Sequence, residues 1–316
     1  MWVPLGASVL LCLFGTRLGR WLPPATAVRL LTPAVLLSAV ASGFVLAVAG
    51  FAVLAQVPVV AALGHWSVAG VRGADPVPVA AGALAGLAAA VLLAAAARRA
   101  LRSGRDLVLA ALACRRLGPA VAGLVVLDDD TPDAYALPGI GGRVVVSTAM
   151  LRALTADERA VLLAHEAAHL THRHHLYVQV AELAAAANPL LRPAAHAVGA
   201  AVERWADEVA AAEVQDRRLA ARALAHAGLA RAKAARRGGA GAARRRGSTP
   251  SAALAGVDGP VLDRARALLA PPPPRRRALA GAVAALMLAT GAAVAVTARD
   301  TEVRFELAQT AYSSSR

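Results

Sequence analysis

Long uncharged apolar runs alternate with arginine clusters along this chain, and that pattern predicts its main elements. Residues 1–16 carry no charge, and Arg17 and Arg20 follow them. Ala34 to Val57, between Pro33 and Pro58, is a second uncharged run. Val79 to Ala97 is a third and Ala278 to Ala298 a fourth. The third alone makes about 28 Å of helix, enough to cross a hydrocarbon core. Helices that are apolar on every face belong in lipid or inside a large core, and the rest of the chain is too small to enclose these. The expected fold is an α-helical membrane protein of about four transmembrane helices. It divides into a membrane region at 1–98 (spans 1–16, 34–57 and 79–97), a domain at 99–277, a fourth span at 278–298 and a short tail at 299–316.

The pattern changes between spans three and four. Arg102 to Leu117 reads as an amphipathic helix. Gly123–Leu127 and Arg143–Ser147 read as strands. Asp128-Asp129-Asp130 between them resembles a metal site, but Thr131-Pro132-Asp133 continues the turn chemistry, so it reads as a solvated turn. Tyr135 to Pro138 leads into a glycine-rich stretch at 139–142. No Lys-Ser/Thr follows it, so it is a hairpin turn and not a phosphate loop. A helix is expected over Thr155–Thr171, with Thr155 and Glu158 forming a capping box and Asp157 and Glu158 at its positive end. Asn188-Pro189 breaks the following helix, and Leu190–Ala212 resumes it. Residues 222–250 are rich in Ala, Arg and Gly and read as a helix fading into a basic linker. A short helix at Val261–Leu269 ends before Pro271–Pro274.

Charge sets orientation. The net charge is +14, yet much of the arginine flanks apolar spans, as positive-inside topology requires. Arg17 to Thr32, Arg98–Arg105 and Arg275–Arg277 are therefore expected in the cytoplasm. The loop around His65, Trp66, Arg72 and Asp75 and the tail are expected outside. This makes a multi-pass protein of the cell membrane with its domain at 99–277 cytoplasmic and the lipid bilayer as a partner. Residues 1–16 lack the basic start of a signal peptide. Aromatics are only 3%, so direct nucleic-acid binding is not expected. Arg236, Arg237 and Arg244–Arg246 read as a solvated linker beside an anionic leaflet. Cys12 and Cys114 are not expected to form a disulfide. A transporter would need polar groups within its spans, and Gln56 is almost alone there.

The candidate chemistry lies at His165-Glu166-Ala167-Ala168-His169. Four residues are a little over one helical turn, so His165 and His169 share a face and can hold one Zn2+ per chain. Glu166 beside them can take a proton from a water that the metal activates. Chance matches to this short pattern are common, but this helix is otherwise Ala and Leu, and its few polar groups need a reason. Glu203 and Asp207 supply one, again four apart on an expected helix. Glu203 would complete a His-His-Glu site with one position open, and Asp207 would fix the tautomer of His165. His175 stands where a metzincin places its third histidine, but that arrangement needs a glycine at position 172, where this chain has a histidine. His172–His175 therefore read as a basic helix continuation, with His172 on the ligand face.

Together these residues resemble the membrane-embedded gluzincin peptidases, with BlaR/MecR-type signalling peptidases the nearer likeness and HtpX-like membrane proteases the more distant. The likeness rests on Tyr135–Pro138, Val144–Ser147, Leu154–Glu158, His165–His169, Asn188-Pro189 and Glu203–Asp207 in that order. It implies a cytoplasmic α+β minigluzincin zinc-peptidase domain between spans three and four, in which Val144–Ser147 pairs with an extended substrate. It also implies a zinc endopeptidase acting on a protein substrate, a transcriptional repressor being the target in the BlaR/MecR family. Two departures stand out. Only Arg299–Arg316 follows span four here, so a β-lactam sensor built on an external penicillin-binding domain is not expected. The HtpX-like downstream histidine is replaced by Gly259-Pro260, leaving Arg264, His226 and His196 as candidates to stabilise an oxyanion. The alternative reading is a non-enzymatic receptor or scaffold with a structural zinc, and Glu166 argues against it, because a structural site needs ligands and not a base.

Overall fold

The computed structural model describes residues 2–74, 78–117, 122–139, 141–245 and 259–314. Asp75, Arg246 and the side chains of Arg237, Arg244 and Arg245 lie outside what is described. Helix α1 (Trp2–Trp21) continues past the expected span through Arg17 and Arg20. Helix α2 (Pro24–Leu54) starts well before the expected Ala34 and carries Pro33 inside it. Pro24 fits because the first helical turn has no N–H bond to lose. Pro33 removes one bond but does not end the helix. Two short helices, α3 (Pro58–Gly64) and α4 (Val68–Ala74), occupy the stretch expected as a loop.

Helix α5 (Val79–Arg116) joins the expected third span and the expected amphipathic helix into one rod. Nothing between them is a breaker. Gly104 alone costs about 1 kcal/mol relative to alanine. Helix α5 also separates the two ends of the molecule. A Cβ on Gly82 near its start would meet Val53 of α2, whereas Cys114 near its end lies beside Gly139 of the sheet domain.

Three strands follow: β1 (Leu124–Leu127), β2 (Ala134–Leu137) and β3 (Arg143–Ser147). Their order is β1-β3-β2, with β1 parallel and β2 antiparallel to β3. The glycine-rich turn does join a hairpin, with Gly141 at φ 73°, but its first strand, Ala134–Leu137, is not one that the sequence pattern marks. This corrects the expectation for Val144–Ser147. Strand β3 is flanked on both sides, so it has no free edge for a substrate. The open edge beside the HExxH helix belongs to β2.

Helices α6 (Thr148–Ala153) and α7 (Ala156–Thr171) come next. Then α8 (His174–Ala187) and α9 (Arg192–Glu213) form a helical hairpin around the 3-10 turn Pro189–Leu191. Helix α10 (Arg217–Arg245) covers most of the stretch read as a linker. Its Ala223, Ala227 and Ala232 are buried, so small side chains pack where composition alone suggested solvent. Helix α11 (Pro260–Leu269) matches expectation. Helix α12 (Arg277–Ser313) carries the fourth span and continues as helix through the expected tail. The Ser67 N–H donates to Ala308 C=O at 3.0 Å, and Phe305 meets Trp66 at 5.2 Å. The end of α12 and the α3–α4 segment therefore share one end of the bundle.

Among the described residues, α1, α2, α5 and α12 are long and apolar enough to cross a membrane. Leu84, Leu87, Val91 and Leu93 on α5 and Leu288 and Val296 on α12 are exposed, as side chains facing lipid would be. The core runs without a break from α1 and α2 into α8 and α9, joining Leu11, Val28 and Leu31 to Leu191, Val198 and Val202. Contact is close: a Cβ on Gly15 would lie 2.7 Å from the Cβ of Ala194. At the hairpin tip, Asn188 Nδ2 donates to Ser8 Oγ at 2.9 Å, and Ser8 Oγ lies 3.0 Å from Ser42 Oγ, all buried. This polar cluster ties the hairpin to both N-terminal helices.

Candidate active site

The site begins with the cap of α7. Thr155 accepts from the Glu158 N–H, and the Glu158 carboxylate accepts from the Thr155 N–H at 3.1 Å. His226 of α10 braces the same carboxylate at 2.8 Å. With its start fixed, α7 presents His165 and His169 toward α9. Their Nε2 atoms lie 3.2 Å apart. Glu203 closes the triangle, with Oε2 3.7 Å from His165 Nε2 and Oε1 3.6 Å from His169 Nε2. These three form the candidate cation-binding group among the described residues. A tetrahedral zinc with bonds of about 2.0–2.1 Å sets its ligand atoms about 3.3 Å apart. The donor set and its spacing therefore fit zinc.

Asp207 sits one turn beyond Glu203, and its Oδ1 lies 3.1 Å from His165 Nδ1. Arg264 of α11 donates from Nε and Nη2 to the two Asp207 oxygens, both at 2.7 Å, and pairs through Nη1 with Glu203 at 2.9 Å. Burial opposes charge on Asp207, but the hydrogen bonds from Arg264 and His165 outweigh it and hold its carboxyl below the ordinary range. Despite its own burial, Arg264 is pushed up by Asp207, with the Glu203 and Glu166 charges adding to it. Arg264→Met should therefore destabilise the zinc-free protein by about 3 kcal/mol, because Asp207 is left charged and buried with His165 as its one remaining named partner. Adding Asp207→Asn should restore part of the loss. Thermal unfolding of the two variants checks this.

Glu166 is buried beside the ligands. Burial raises its pKa most, and the Glu203 charge adds to that. His165, Arg231 and the Ala136 backbone N–H pull the other way. The Ala136 contact identifies the open edge of β2 as the one facing Glu166. The neighbouring outward group, Ala134 C=O, accepts from Arg231 Nη2 at 2.9 Å. A cavity of about 250 Å³ runs along this edge, past His165 and Glu166 to Arg231 and Arg264. A second, of about 430 Å³, opens on the other side of Glu166 and His169 toward Arg99, His175 and Glu182. The two make a cleft that crosses the site along β2.

These features, an HExxH helix, a glutamate from a following helix and an open strand edge, agree with the match of residues 106–290 to peptidase family M48. The chain belongs to peptidase family M48. No curated protein and no solved structure matches it. The family is one of metallopeptidases, typically zinc-dependent, and in this M48 chain the His-His-Glu group is one that could hold a metal ion.

The sequence pattern predicts that the HExxH helix runs on through His172–His175. Helix α7 does not continue through His172–His175. It ends at Thr171, and Arg173 takes a left-handed φ of 51° before α8 starts. The chain turns there without glycine. His175 still lies outside the ligand group. The turn instead swings His174 inward, fully buried, with Nδ1 3.1 Å from His169 Nδ1. Burial, with the neighbouring histidines adding to it, lowers the His174 pKa to about 3. His172 stacks on Trp205 at 4.7 Å. Of the three oxyanion candidates, His226 is engaged at the α7 cap and His196 is exposed outside the cleft. Only Arg264 lines it, and there it is occupied by carboxylates. Arg231, which also lines the cleft, was hidden in the stretch read as a linker.

Proposed function

We propose that this chain is a membrane-embedded zinc endopeptidase that hydrolyses a cytoplasmic or membrane-proximal protein. The observation that carries the reading is the His165–His169–Glu203 group with Glu166 beside it, all facing the open edge of β2. An extended substrate segment adds to that edge as a fourth strand, its backbone paired and its side chains in the two cavities. Zinc held by His165, His169 and Glu203 supplies Lewis acidity toward water and the scissile carbonyl. Glu166 takes the proton of the attacking water and returns it to the leaving amine. Asp207 holds His165 in the tautomer that offers Nε2. Arg231 steadies the substrate edge through Ala134.

The resemblance to BlaR/MecR-type peptidases supports a regulatory substrate, a transcriptional repressor being one candidate. Cleavage of an unstructured reporter chain by the detergent-solubilised protein tests the activity. Chelation should abolish it and zinc restore it, while cleavage indifferent to metal would end this reading. Comparing the proteomes of cells making wild-type and Glu166→Ala protein should then reveal the substrate as a chain cut only by the wild type.

The arginine distribution supports a cytoplasmic active site. The sheet lies at the Arg98–Arg105 side of α5, and the end of α12 packs against the α3–α4 segment at the other. Reporter fusions after Arg105 and at the C-terminus should therefore report opposite faces of the membrane, with the first inside. The same face for both would refute the topology.

A further inference from the structure

Resting on the zinc reading above, we propose that His174 is the positioning residue of His169, doing for the second ligand what Asp207 does for the first. Nε2 of His169 faces the ligand triangle, 3.2 Å from His165 Nε2 and 3.6 Å from Glu203 Oε1. Its other nitrogen faces His174 Nδ1 at 3.1 Å. An imidazole that gives one lone pair to a metal keeps its proton on the other nitrogen. His169 Nδ1–H is thus the donor and His174 Nδ1 the acceptor. That fixes which His169 nitrogen the site presents and how its ring is turned.

Two features show that the chain is arranged for this contact. The first is the backbone. On a continuing helix, position 174 would lie about 140° round from position 169 and face away from it. The left-handed turn at Arg173 brings the ring back. The second is the cost that the ring carries. With Nδ1 accepting, the proton of His174 stands on Nε2, which is buried and has no hydrogen-bond partner among the described residues. A ring kept only to fill space would be better replaced by an aliphatic side chain. The ring is also held firmly, with Trp205 at 4.8 Å and Arg29 of α2 against the Trp205 ring at 4.9 Å.

The test uses the full chain in detergent and reads zinc affinity by competition with a chelator. His174→Leu removes the acceptor and the orphaned N–H together. It should weaken zinc binding about 10–100-fold. The thermal midpoint of its zinc-free form should stay level or rise. His174→Asn, which places an oxygen near the position of Nδ1, should bind within a few-fold of wild type. His174→Gln carries its oxygen one bond too far and should bind as weakly as the leucine variant. If the leucine variant does not fold, the Asn–Gln contrast carries the same decision. Equal affinities for the asparagine and glutamine variants would overturn the proposal, as would a leucine variant with wild-type affinity. A wild type that binds no zinc would sink the peptidase reading and this one with it, whereas a zinc-binding wild type indifferent to these changes sinks this one alone.

Discussion

Glu166→Gln will keep its zinc and lose peptide hydrolysis by about 100-fold or more. Glu166 stands beside the ligand group and outside it, so the metal does not depend on it. Glutamine has the same size and still accepts the Ala136 N–H, so the open edge of β2 keeps its contact. What disappears is the base. The variant should also fold at least as well as wild type. Burial raises the Glu166 pKa in the folded protein, so the unfolded chain gives up that proton first as pH rises. Above the ordinary glutamate pKa of about 4.3, wild-type Glu166 therefore subtracts from stability, and a neutral glutamine does not. The zinc-free variant should melt level with or above wild type at neutral pH. Steady-state cleavage and zinc content on one preparation decide the matter. Near-wild-type turnover would remove Glu166 from the mechanism.

The His165–His169–Glu203 cluster was legible because α7 and α9 each advertise it locally. His165 and His169 fall one turn apart, as do Glu203 and Asp207, and the break at Asn188-Pro189 implied the antiparallel return between them. The long apolar helices were legible for the same reason, since an uncharged run reports itself without reference to the rest of the fold. What stayed hidden depends on distant contacts. Ala134–Leu137 is short and holds two alanines, so only its pairing with β3 makes it a strand. Arg231 sits in an Ala/Arg stretch whose alanines pack against α7, α9 and α11, and composition could not separate that from a solvated linker. His174 is one of three histidines within four residues, and only the φ of Arg173 sets it apart. The hairpin of α8 and α9 reads as part of a separate domain until its alanines are seen packed on α1 and α2.

The second large effect separates two ways of completing the metal site. Glu203→Ala should strip zinc and activity together, and His175→Ala should remove neither. An unbroken helix carrying His175 away from the ligands is not the reason. The helix does break, at Arg173, and the residue turned inward is His174. It meets His169 through Nδ1, on the far side of the ring from the ligand triangle, so it cannot complete the triangle itself. Glu203 comes from α9 with both oxygens within 3.7 Å of the ligand nitrogens. Two neutral imidazoles and one carboxylate leave a net charge of +1 on a zinc centre, which favours acidification of its water. Without Glu203 the site keeps two ligands and sets the Arg264 cation beside the metal. Asp207→Ala should be milder, costing about 10–100-fold in affinity, because it frees the His165 ring without removing a ligand. Zinc content measured on the three purified variants decides between the arrangements. Metal lost from His175→Ala but retained by Glu203→Ala would reverse the assignment.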